Sequence, residues 1–403
     1  MSDTKPSQRS LEDWRSEFPI LETSTYLISN SLGAMPRKTK ESLAEYTRIW
    51  EEMGVRAWAE GWWVKQNELA DLLGPILGVQ PDAISMHQNV TIASAVFSSA
   101  IDFSGARNKI VYTDMNFPSL MYLYDGIAAQ RGAVIHTVES EDGISVPTEK
   151  LLAAIDDKTA LVPISHVLFR SAYIQDAEAI IAKAHEVGAI VLLDCFQSVG
   201  TVPLELEKWG CHAATGGALK FLCGGPGACF LYVDPELGKD LSPAFTGWMA
   251  HKQPFDFDPG PQDLRDDGWR FLHGTPNVPG LYAAIEGVRI VHDVGMDRIR
   301  EHSMRQTALL VEKALAMGFE ITAPMDPAVR GGTVAVNVPD GYEVCQELLD
   351  RKFIVDYRPG AGIRIAPHFY TRDDECTAAL DEIQTILETG AQEKHKNQPH
   401  KPG

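Results

Sequence analysis

Residues 192–200 read LLDCFQSVG. An apolar run, AIVLL at 189–193, stops at a carboxylate, Asp194, and a turn of small residues follows. A strand buried on both faces reads as such a continuous run, without apolar/polar alternation. Open α/β sheets bind ligands beyond the C-terminal ends of their strands. An acid delivered to that point is therefore a candidate for chemistry. A strand-end carboxylate can equally cap a helix or sit in an ion pair, and this stretch alone does not separate the roles.

Outward from it, the middle of the chain alternates in the βα manner. NKIVYTDMNFPS (108–119), GAVIHTVES (132–140), TALVPISHVLF (159–169), AIVLLDCFQ (189–197) and ACFLYV (228–233) read as strands. Helical stretches lie between them. One is AEAIIAKAHEVG (177–188), whose apolar residues recur at i, i+3 and i+4 and whose Gly188 is a natural C-cap. The pattern predicts an α/β fold with a mostly parallel sheet. From Pro279 it changes. A long helix, broken near Gly295, precedes the short strands FEITAP and GGTVAVNV, the helix YEVCQELLDR, the strands FIVDYR and GIRIAP, and a last helix at 373–389. The reading is an N-terminal segment (1–50), a large domain (51–278), a small α+β domain (279–390) and a polar tail (391–403) without structure. There is no internal repeat.

The bulk numbers fit a globular enzyme. The 403 residues are 44% hydrophobic and 23% charged, enough for a large core. A net charge of −19 argues against nucleic acid and anionic membranes as partners. No apolar run approaches the roughly 18 residues of a bilayer span. The polar start, MSDTKPSQRSLEDWRSEF, has no apolar segment of the secretory kind. Six cysteines without a CxxC pair point to reduced thiols, a cytoplasmic location and no metal site. HExxH and GxSxG are absent, and GGALKF lacks the spacing of a phosphate-binding P-loop.

Downstream of Asp194 comes HAATGGALKFLCGGPGACFLYV (212–233). Most lysines are solvated, but Lys220 stands in an apolar, glycine-rich stretch with no acid nearby in sequence. Burial lowers the pKa of an amine and makes it a usable nucleophile. The 26 residues separating Asp194 from Lys220 accommodate one βα unit. A strand-end acid followed by a glycine-embedded lysine is the pair that pyridoxal phosphate requires. The lysine forms the Schiff base and the acid holds the pyridinium proton.

Here the residues resemble a known family. DCFQSVG with GGALKFLCGGPG is similar to the class V aminotransferase superfamily, of fold type I, and the remainder resembles kynureninases within it. The motifs are YLISNSLGAMPR (26–37), VRAWAEGWW (55–63), NVT (89–91), NFPS (116–119), FTGWMAH (245–251), RFLHGTP (270–276) and GIRIAP (362–367). They run in family order from Leu21 to Leu387. The resemblance implies that Lys220 and Asp194 are catalytic and that Phe117 stacks on the cofactor ring. It implies that Val90 and Thr91 hold phosphate at a helix N-terminus. Trp248 and Thr275 also serve phosphate, Thr275 from a partner subunit. Gln197 reaches the cofactor's phenolic oxygen. Ser31, Trp62 and Arg364 bind substrate, Arg364 as the clamp on the α-carboxylate. A homodimer with active sites at its interface is implied.

Four positions depart from the kynureninase pattern. Leu219 replaces a tyrosine before the lysine, Gln197 a histidine, Leu120 an acid, and Leu168-Phe169 an Asn-Tyr pair. The leading expectation is hydrolysis of a Cβ–Cγ bond in a small amino acid, with release of alanine. The alternative is class V transamination or β-elimination. Cysteine desulfurization is disfavoured, because no cysteine lies between Cys345 and Arg364. A non-catalytic binding protein is disfavoured by Lys220, Asp194 and Arg364 occurring together.

Overall fold

The computed structural model describes residues 9–396. In chain order, β1 (Thr25–Tyr26), α1 (Thr39–Met53) and α2 (Val64–Leu77) precede the large sheet. Then follow β2 (Ile84–His87), α3 (Val90–Ser99), β3 (Lys109–Thr113), α4 (Pro118–Arg131), β4 (Val134–Val138), α5 (Thr148–Ala154) and β5 (Thr159–Ser165). After α6 (Ala177–Val187) come β6 (Ile190–Asp194), β7 (Ala213–Gly217), β8 (Cys229–Val233) and α7 (Pro235–Asp240). The C-terminal part holds α8 (Val278–Val294), α9 (Met296–Ala316), β9 (Glu320–Ile321), β10 (Val334–Asn337) and α10 (Gly341–Asp350). It ends with β11 (Phe353–Ile354), β12 (Asp356–Arg358), β13 (Gly362–Ile365) and α11 (Asp373–Thr389).

The large sheet has the order β2-β8-β7-β6-β5-β3-β4. Strands β4, β3, β5, β6 and β7 pair in parallel, and β8 runs antiparallel to both its neighbours. Every residue of β5, β7 and β8 is buried, as are four of the five in β6, which is why these runs show no alternation. Register places Asp194 opposite Ser165 on one side and Thr215 on the other. These three residues form the C-terminal rim of the sheet's centre, where the sequence pointed.

Strand β7 escapes the sequence pattern because it ends in two glycines. Packing requires them. A Cβ on Gly216 would lie 2.6 Å from the Phe230 ring, and one on Gly217 would lie 2.4 Å from the Phe196 ring. Aromatic side chains fill the space that β7 leaves.

The small sheet, β12-β13-β10-β9, is antiparallel throughout. It forms a second core with α9, α10 and α11. The expected helix break falls at Gly295, whose φ of +88° suits glycine. The two cores do not part at residue 278/279. Leu281, Ala284, Ile285, Val288 and Val291 of α8 bury into the core of the large sheet, whereas the second core takes up α9 from Leu310. The polar end also differs from expectation up to residue 396. Ala391–His395 forms a short 3-10 turn, with His395 Nε2 3.1 Å and Lys394 Nζ 2.6 Å from Glu347 Oε2. The remaining expected tail, 397–403, lies outside the described residues. Among the described residues no helix is long and apolar enough to cross a membrane.

Candidate active site

Lys220 sits in the tight turn after β7, where its carbonyl accepts from the Cys223 amide at 2.9 Å. Its amine lies 4.5 Å from the centre of the Phe196 ring and 5.7 Å from that of Phe117. No hydrogen bond or ion pair holds this amine among the described residues. Burial pulls its pKa down to about 8, and the charges of Arg364 and Arg358 push the same way. The carboxylates of Asp194 and Asp356 partly oppose them. An amine in this state is an available base near neutral pH.

Asp194 is buried at the end of β6. Its Oδ1 accepts from the Phe196 amide at 2.9 Å and its Oδ2 from Ser165 Oγ at 3.3 Å. Burial raises its pKa, and these bonds and the nearby Lys220 charge restrain the rise. Thr215, its neighbour in register, has a buried hydroxyl without a partner.

The N-terminal segment closes over the lysine turn. The Gly33 amide donates to the Leu219 carbonyl at 2.8 Å. A Cβ on Gly33 would lie 2.2 Å from the Lys220 carbonyl oxygen, so only glycine permits this approach. Gln197 Nε2 donates to the Asn30 carbonyl at 3.1 Å, and Ser29 Oγ and Tyr370 Oη share a bond of 2.7 Å. The Asn30 side chain, 1% exposed, has neither carboxamide atom partnered. Sequence reading passed over Asn30 and chose its neighbour Ser31, which is only partly buried. The signal was available, since Asn30 lies in the same quoted motif.

Arg364 is 3% exposed on β13. Its Nε and Nη2 donate to the two oxygens of Asp356 at 2.8 and 2.5 Å, and Nη1 donates to the Phe169 carbonyl at 3.0 Å. A guanidinium has five N–H donors. Three are engaged here, and two remain for a ligand. Sequence reading missed Asp356 and Arg358. Their i, i+2 spacing on a strand facing GIRI was the available clue.

The other expected residues are spread around this centre. Phe117 caps the start of α4 with its ring 40% exposed, edge-on to Phe169 at 5.3 Å. At the start of α3 the Asn89 side chain already accepts from the Ile92 amide. The Val90 amide lies against Cys229, which leaves the Thr91 amide and hydroxyl as the open donors. Trp248 stacks on Phe257 and meets Trp63 edge-on at 5.9 Å. Thr275 is exposed. No hydrogen bond or ring contact joins Trp248 or Thr275 to Lys220 or Asp194 among the described residues. Trp62 departs furthest from expectation. It is buried in an aromatic cluster with Tyr46, Trp50 and Trp58 against α8, because its ring completes that satellite core. Its neighbour Trp63 is the one that touches Trp248.

An unpartnered amine, a strand-end acid, an exposed aromatic ring beside the amine and an orphaned buried carboxamide together fit a flat, anionic, aldehyde-bearing cofactor. The comparisons agree. The family model for class-V aminotransferases matches residues 75–360, and the chain belongs to that family. It is 30% identical over 373 residues to the uncharacterized aminotransferase YcbU of Bacillus subtilis, covering 92% of this chain and 97% of that one. It is 30% identical over 397 residues to the kynureninase of Pseudomonas fluorescens, covering 95% and 94%. Among solved structures, the cysteine desulfurase of Thermococcus onnurineus superposes with a TM-score of 0.85 at 20% identity, over 96% of this chain and all of that one. The cystine C-S lyase C-DES gives 0.82 at 20% identity, over 91% and 98%. The fold is that of the type I pyridoxal-phosphate enzymes, and the chain is a pyridoxal-phosphate enzyme acting on amino acids.

Proposed function

We propose that this enzyme breaks a bond at Cβ of a small amino acid, on the frame with which kynureninases cleave Cβ–Cγ and release alanine. The observation that carries the reading is the state of Lys220: a part-buried amine without a partner among the described residues, its pKa pulled down to about 8, that feels Asp194 and Arg364 together. When bound, the cofactor supplies an electron sink for the pair released as the α C–H bond breaks. Lys220 Nζ takes the α-proton. Asp194 keeps the proton on the ring nitrogen. The free end of the Arg364 guanidinium receives the α-carboxylate, a geometry suited to a two-pronged bond. Phe117 would stack on the cofactor ring, with Phe169 edge-on behind it. Thr91, with Trp248 and a partner's Thr275, would hold the phosphate.

A second reading, β-elimination, draws on the departures from the kynureninase pattern. Leu219, Leu168 and Leu120 carry no proton donor, and Leu168 and Leu120 are buried. Losing a positioned acid typically costs about 10²–10⁴-fold in rate. A leaving group that departs without help then has the advantage over water addition to a γ-carbonyl. Persulfide chemistry is unsupported, because all six cysteines are buried and burial pushes the Cys229 and Cys345 thiols up to about 12.

The test is a panel of γ-keto and β-substituted amino acids, with products identified by mass and kynurenine followed by anthranilate fluorescence and alanine release. Kynurenine cleavage is expected to be slow or absent, and Leu219→Tyr is expected to improve it. Cleavage of kynurenine at ordinary enzyme rates would show that these departures are compensated. Stoichiometric conversion of the cofactor to its amine form, reversed by a keto acid, would establish transamination instead.

A further inference from the structure

Asp356 and Arg358 are two apart on β12, so they share a face of the small sheet. Asp356 lies opposite Arg364 in register, and Arg358 lies opposite Gly362. Asp356 Oδ2 accepts from Arg364 Nη2 at 2.5 Å and is 3.0 Å from Arg358 Nη2. One carboxylate is thus shared by two guanidinia. The burial is graded: the side chains of Arg364, Asp356 and Arg358 are 3%, 9% and 31% exposed.

We infer that Arg358 is a positioning residue for the substrate's α-carboxylate, because by sharing Asp356 it offsets the negative charge that holds the Arg364 clamp in place. This rests on the amino-acid reading above. Asp356 fixes the Arg364 plane through a two-pronged bond, which pre-organises the clamp. The same carboxylate would leave Arg364 in a formally neutral pair, and it would repel an incoming anion across the guanidinium in a site of low dielectric. With Arg358 the group of three carries one net positive charge, matched to one carboxylate. The charged groups that bear on Lys220 are Asp194, Arg364, Asp356 and Arg358, so the same set also reports at the amine.

The experiment uses the holoenzyme and the variants Arg358→Gln and Arg358→Lys. L-alanine is titrated against each and followed by cofactor absorbance. The pH at which the lysine-linked cofactor changes colour is read separately without substrate. Arg358→Gln is expected to weaken L-alanine binding by roughly ten-fold, with cofactor affinity unchanged. Its colour midpoint should move to higher pH, since a cation beside the linked nitrogen is lost. Arg358→Lys should recover most of both effects. L-alanine affinity within about two-fold of wild type together with an unmoved midpoint would overturn the inference. So would a parallel loss of L-alanine, cofactor and thermal stability that Arg358→Lys does not rescue, since that marks a purely structural role. A wild-type holoenzyme that responds to no amino acid would sink the amino-acid reading itself. The substrate-free midpoint still decides whether Arg358 offsets Asp356.

Discussion

The two halves of the site treat their charges in opposite ways. In the large domain, among the described residues, Lys220 has an unpaired amine and Asp194 is held by a backbone amide and a serine hydroxyl. In the small domain, Arg364 is bonded at three of its N–H groups and shares its carboxylate with a second arginine. The difference matches the roles proposed for each group. A base and a proton-holding acid have to change partners during reaction, and a strong ion pair would fix their protonation. A carboxylate clamp gains from rigidity, because orientation settled before binding is not lost on binding.

Three substitutions break or sharpen this contrast. The largest effect is expected from Lys220→Ala, which removes the one group that has no substitute nearby. Turnover and the visible absorbance of lysine-linked cofactor should both disappear while the circular dichroism of the fold persists. Repeated turnover by this variant would remove the basis of the mechanism. Asp194→Ala comes next, with a loss of about 10²–10⁴-fold in rate and weaker cofactor binding, measured by steady-state assay and equilibrium dialysis. A near-normal rate with cofactor bound would make Asp194 a purely structural acid. Arg364→Ala should act mainly on KM. A charge-assisted bond of about 1.5–3 kcal/mol corresponds to roughly ten- to a hundred-fold, with cofactor affinity little changed. An unchanged KM would place the carboxylate site elsewhere and leave the ion pair with Asp356 as the residue's whole role.

The contrast also explains what could be read from sequence. Strands β3, β5, β6 and β8 were legible because burial writes itself as a continuous apolar run, and the mostly exposed β4 through its β-branched residues. Asp194 and Lys220 were legible because an acid or a lysine inside such a run is chemically out of place. Strand β7 was not, since its glycines answer to the Phe196 and Phe230 rings, which only the fold brings there. Asp356 and Arg358 were hidden for a related reason. Charged residues on a short strand look like solvated surface until register shows the arginine they face. Leu219 and Leu168 stood out only as departures from a family pattern. Trp62, expected at the substrate, packs in a local aromatic core, and its neighbour Trp63 makes the contact with Trp248.

The segment from Thr25 to Gly33 gives the fold a mechanical property. At one end β1 runs alongside β11, and Ile28 bridges to Ala366, two residues past Arg364. At the other end Gly33 is pinned to the peptide that carries Lys220. One short length of chain is thereby moored to both bodies of the enzyme. The arginine-bearing sheet and the lysine turn are thus tied to each other through the backbone of this segment. An inserted residue between Ile28 and Gly33 would lengthen this tether and loosen the tie between the arginine-bearing strand and the lysine turn.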